Sequence, residues 1–136
     1  MARAALSGIS RLETSPWRAA AQALEEALGI CRDIGDRGGE AVALNEAGVL
    51  YRVRGDPGRA AEYHRQALNL SREIASLRDE ASALAGLGRC ALAAGHTTQA
   101  RALLRQALEI FQRIGAAETP DLTAELETLT SPKPAQ

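Results

Sequence analysis

The sequence predicts an all-α fold, a helical-repeat solenoid of three antiparallel helix pairs closed by a C-terminal helix. Three observations carry this: a forty-residue internal repeat, break-and-cap signals at a fixed place in each repeat, and apolar residues at helical spacing between them. Residues 41–80 set against 81–120 without a gap match at Ala41/Ala81, Ala43/Ala83, Leu44/Leu84, Gly48/Gly88, Gly55/Gly95, Ala60/Ala100, Arg65/Arg105, Gln66/Gln106, Ala67/Ala107, Leu68/Leu108 and Ile74/Ile114. The matches concentrate at apolar and small positions, where packing constrains identity. A further step of forty back recovers Gly8, Ala20, Ala27, Leu28, Ile30 and Ile34, so residues 1–40 form a third, more degenerate copy. Three units are about the minimum for a stable stack.

Each unit reads as two helices. In the first, Ser15-Pro16 gives a cap followed by proline at the first helical position, one residue earlier than the forty-residue register. In the second, Leu44, Ala47, Gly48 and Tyr51 share a face of a helix from Ala41 to about Arg54; Gly55 breaks it and Asp56-Pro57 starts the next. That helix runs to about Leu77, with Ala60, His64, Ala67, Leu68, Ser71 and Ile74 as its buried stripe and Arg59, Glu62, Arg65, Arg72 and Glu73 mostly off it. The third unit repeats the break at Gly95. Thr119-Pro120-Asp121 starts a terminal helix over about 120–130, and residues 131–136 read as a disordered tail. One domain is therefore expected over 1–130, with repeats at about 1–40, 41–80 and 81–120.

Gly48, Gly88, Ala60, Ala100, Ala67 and Ala107 let antiparallel helices approach closely, while Leu44, Leu68, Leu84, Leu108 and Ile110 fill between layers. A single pair cannot bury its apolar face, so neighbouring pairs stack into a ladder with a concave and a convex surface.

These residues resemble the tetratricopeptide repeat. Counted from residues 1, 41 and 81, that pattern has a bulky residue at position 4, Leu or Ala at 7, Gly or Ala at 8, an aromatic at 11, Gly near 15, Ala at 20, an aromatic at 24 and Ala at 27. The second unit supplies Leu44, Ala47, Gly48, Tyr51, Gly55, Ala60, His64 and Ala67, departing only at His64. The third supplies Leu84, Leu87, Gly88, Ala91, Gly95, Ala100, Leu104 and Ala107. The first keeps Gly8, Ala20 and Ala27 but has Ala4, Ser7 and Arg11 where bulk is expected. The usual proline at position 32 is missing. The longer unit resembles the C-terminal repeat arms of actinobacterial SARP and STAND-type transcription regulators, as well as Pins-like and kinesin-light-chain-like adaptors. Segments 34–41 and 107–115 are most similar to the regulator arms.

The resemblance implies a non-catalytic protein–protein interaction module that binds a peptide or partner domain on its concave face. It further implies that the first helices line that face, with Val42, Asn45, Glu46, Val49, Arg52 and Val53 pointing outward, then Ser82, Ala85, Gly86, Arg89, Leu92 and Ala93. Asn45 can donate to and accept from a peptide backbone, and Arg52 and Arg89 can each hold a carboxylate bidentately. These three, with Val42, Val49, Glu46 and Ser82, are the expected partner-binding residues. The Lys, Asn and Arg set with which some relatives grip a C-terminal carboxylate is missing; Ala5, Ile9, Glu46, Ser82 and Gly86 stand in its places. Three first helices about 10 Å apart offer room for about 6–9 extended residues.

Composition narrows the function classes. The chain has 136 residues, 16 basic against 17 acidic side chains and a net charge of −1, which gives no electrostatic footprint for nucleic acid or anionic membrane. It has no apolar run approaching a membrane span and no secretory signal, so a cytoplasmic location is expected. Fifteen arginines against one lysine suggest a GC-rich source genome.

Candidates for chemistry are few. Cys31 and Cys90 lie outside any CxxC or Cys/His cluster, and read as small fillers of apolar gaps. His64 reads as a packed core residue and His96 as a solvated turn residue. The pairs Glu25-Glu26 and Asp79-Glu80 point apart on their helices. Gly35, Gly38 and Gly39 form no phosphate loop and read as a helix stop and turn. Trp17 reads as packing at the start of its helix. No enzyme, cofactor or metal is expected. The leading function is the scaffold or sensor arm of a bacterial transcription regulator; a free-standing adaptor and a homodimerisation module are the alternatives.

Overall fold

The computed structural model describes residues 15–130. The first helix expected for the first unit and the tail at 131–136 lie outside the described residues. Within them run six helices and no strand: α1 (Pro16–Ile34), α2 (Arg37–Arg54), α3 (Pro57–Glu73), α4 (Leu77–Ala93), α5 (Thr97–Ile114) and α6 (Thr119–Thr130). The expected all-α repeat architecture is what the chain adopts.

The forty-residue period is kept from α2 to α4 and from α3 to α5, but two expected boundaries move. The first helix of the second unit starts at Arg37, four residues before Ala41, and α3 stops at Glu73, short of Leu77. Asp36 explains the first shift: its side chain accepts from the Gly39 amide and caps a helix that then runs through Gly38-Gly39. Ser76 explains the second, since it caps α4 by accepting from the Asp79 amide, while Ala75 at φ 57° turns the chain between α3 and α4. Ser15, Asp36, Asp56 and Ser76 each accept from an amide three residues on. Pro16 and Pro57 begin their helices as expected.

Each helix packs antiparallel on its sequence neighbour. In addition the backbone of α2 comes close to that of α4, whereas the backbones of α3 and α5 stay further apart. First helices that come close and second helices that splay bend the stack, so α2 and α4 lie on its concave side. The core is leucine between alanines: Leu44, Leu84, Leu104 and Leu122 are at most 2% exposed, and Ala41, Ala60, Ala67, Ala81, Ala100 and Ala107 are fully buried. Each such leucine contributes about 1.5–3 kcal/mol by leaving water. Phe111 and Ala116 receive Leu122 and Leu126, which dock α6 on α5.

A second cluster closes the other end. Trp17 meets Tyr51 edge-on at 5.8 Å between centroids, Tyr51 stacks on Tyr63 at 5.4 Å, and Arg54 and Arg59 lie over Trp17 and Tyr51. Trp17 is thus packed at the start of its helix, as its position implied. Ion pairs recur with the repeat: Arg32 with Glu40 at 3.1 Å and Arg72 with Glu80 at 3.4 Å join the end of a second helix to the first turn of the next first helix. Arg37 pairs with Glu73 across α2 and α3.

Candidate functional site

The concave side carries a cavity of about 410 Å³, walled mainly by α2 and α4, with single residues from α3 and α5 and two from the start of α6 and the turn before it. Of the seven residues expected to bind a partner, six line it: Val42, Asn45, Glu46, Val49, Ser82 and Arg89. They converge because spacings of three, four and seven put them on one face of α2 and one face of α4. Arg52 lies outside this lining; it is half-buried, and its Nε is buried without a hydrogen-bond partner among the described residues. Val42 and Val49 are each 44% exposed and Val53 72% exposed, so α2 presents a row of aliphatic side chains to solvent. Glu46 is exposed between the valines.

Two of the polar residues have internal partners. Asn45 is only 9% exposed; its Nδ2 donates to the Asp79 carbonyl at 3.2 Å and its Oδ1 lies 2.9 Å from Nδ1 of His64. Since Oδ1 can only accept, His64 carries its proton on Nδ1 and donates. Arg89 makes two parallel bonds to Glu125 of α6, Nε to Oε2 and Nη2 to Oε1, both at 3.1 Å.

His64 forms the floor of the cavity. Its ring is 1% exposed and lies in a slot between α2 and α4, where a Cβ on either Gly48 or Gly86 would overlap the imidazole. Burial, reinforced by the charges of Arg52 and Arg89, lowers its pKa from 6.5 to about 4, so the ring is neutral at pH 7. Its Nε2 is then a buried acceptor without a partner among the described residues.

Sequence reasoning placed His64 in the core but did not join it to the site, nor did it include Asp79, Phe111, Glu118 and Leu122, which complete the lining. Phe111 belongs to the buried core and Asp79 to the first turn of α4. Glu118 and Leu122 reach the site only because α6 folds back along α5.

The remaining candidates sit apart from it. Cys90 is buried and Cys31 half-buried, both as free thiols, and burial pushes the Cys90 thiol up. Among the described residues no three His, Cys, Asp or Glu side chains are grouped to hold a metal ion, and no helix is long and apolar enough to cross a membrane. The arrangement offers aliphatic contact, the exposed carboxylate of Glu46 and a guanidinium held by an internal carboxylate.

No curated protein matches the sequence. Residues 1–73 match the tetratricopeptide repeat family, and residues 54–118 match a second description of the same repeat. Proteins built of these repeats generally mediate protein–protein interaction as scaffolds, and this chain, matched over more than half its length, belongs to the tetratricopeptide repeat family.

Proposed function

We propose that the chain binds an extended segment of a partner protein along the concave face of α2 and α4, as the cytoplasmic scaffold or sensor arm of a bacterial transcription regulator. The observation that carries the binding reading is the row Val42, Glu46, Val49 and Val53, which leaves aliphatic surface and a carboxylate facing solvent beside a cavity. Contiguous apolar surface on a repeat protein stays soluble when it is small and gains stability when a partner covers it. The regulator role rests on the likeness of segments 34–41 and 107–115 to such arms and on the arginine-rich composition.

The test is selection of displayed random nine-residue peptides on the full chain and on Val49→Asp. Val49 is exposed, so the variant keeps the core. Peptides are expected to enrich on the wild type and to lose about tenfold or more in affinity on the variant, the effect of a charge set against an apolar contact. Enrichment that ignores Val49→Asp would contradict the reading. Sedimentation equilibrium of the free chain separates the homodimerisation alternative, which requires a second copy on this face.

A further inference from the structure

We infer that Arg89 is the carboxylate-reading position of the groove and that Glu125 of α6 is its internal competitor. The partner segment then carries an acidic side chain beside an aliphatic one. This rests on the binding reading above and names the chemistry of what binds.

Arg89 shows its preference in the structure. Its guanidinium already holds a carboxylate in the two-bond fork that a carboxyl group fits best. The pair is 36% and 31% exposed on its two sides, so water and an incoming carboxylate can both reach it. Partly exposed ion pairs contribute little net stability, because each partner is well solvated when released.

Exchange does not require α6 to leave. Leu122 and Leu126 anchor the helix in the shared core, and its ion pairs to α4, Arg89–Glu125 and Arg78–Glu118 at 2.7 Å, lie outside that core. Glu125 can therefore rotate away while the apolar anchor stays in place. Leu122 and Phe111 line the cavity together with Arg89, and Val42 and Val49 face them from α2. Leu122 and Phe111 are themselves almost wholly covered, so a side chain next to the bound carboxylate meets the exposed aliphatic surface of Val42 and Val49. Glu46, exposed on α2, favours a basic or neutral residue further along the segment and disfavours a second acid there.

The experiment uses the nine-residue peptides selected on the full chain, resynthesised with each Asp or Glu changed to its amide. On the wild type, one such change is expected to weaken binding. On Arg89→Gln the same change should have no effect, and Glu125→Gln should bind the acidic peptide about twofold to fivefold more tightly, the range an exposed ion pair spans. Thermal unfolding of both variants checks that they fold; if Arg89→Gln does not, Arg89→Lys keeps the charge but loses the fork and should retain only part of the discrimination. Peptides that depend on Val49 but show no acidic position, or an affinity unmoved by Glu125→Gln, would overturn this inference and leave the groove. Absence of enrichment on both the wild type and Glu125→Gln would overturn the groove reading and the inference with it.

Discussion

His64 occupies the place where the repeat pattern has an aromatic residue, and it fills that place as a flat ring between two glycines. The sequence put it on an apolar stripe, which was enough to assign it to the core. What could not be read is that Gly86 comes from the next unit: that pairing depends on how far each helix pair rotates over the last. The slot leads to two predictions. Gly86→Ala drives a methyl into a ring held by Asn45, and should cost about 1–3 kcal/mol in urea unfolding. The second concerns pH. The unfolded chain takes up a proton on His64 near 6.5 and the folded chain only near 4, so between these values the unfolded state binds more protons. The stability this residue contributes is fully present above pH 6.5, is lost as pH falls, and changes no further below 4. The gap corresponds to about 3 kcal/mol. His64→Phe keeps a flat ring in the slot and leaves Asn45 Oδ1 without its donor. It should be less stable than wild type at pH 7 by about 1–3 kcal/mol. Its unfolding free energy should fall less than that of wild type between pH 6.5 and 4, and equal slopes would remove the argument.

At the scale of elements, alternation of helix and break was legible because Gly55, Asp56-Pro57, Gly95 and Ser15-Pro16 announce themselves locally. The start of α2 was not, since Gly38-Gly39 reads as a continued turn. Only the Asp36 cap, and a close approach that leaves an added Gly39 Cβ 2.9 Å from Cys31 Sγ, show why glycine sits inside the helix. The junction after α3 holds a different lesson. Gly35 and Gly115 take left-handed φ of 74° and 65° at one place in the repeat, and Ala75 takes 57° at the equivalent place. An L-residue with a Cβ is strained there by about 1–2 kcal/mol. Ala75→Gly should raise the thermal midpoint, by a stabilisation of about 1 kcal/mol once glycine's greater freedom in the unfolded chain is counted. A lower midpoint would show that the alanine methyl makes a contact worth more than the strain.

At the scale of the molecule, the proposed binding face follows from curvature. The backbones of α2 and α4 approach more closely than those of α3 and α5, and residues on the outward faces of α2 and α4 line a shared cavity. Position within the repeat was enough to nominate Val42, Glu46, Val49, Ser82 and Arg89 for that face. It could not show that Asn45 is tied to His64 and Asp79, because both partners come from other helices of the stack. Nor could it show Glu125 on Arg89, which depends on where a helix beyond the repeats folds back.

Hydrogen exchange of the full chain, with and without a saturating selected peptide, tests the central claim most directly. Slower exchange is expected at residues 42–53 of α2 and 78–90 of α4, with α3 and α5 changed least; slowing confined to α3 and α5 would place the partner on the convex face and contradict the account.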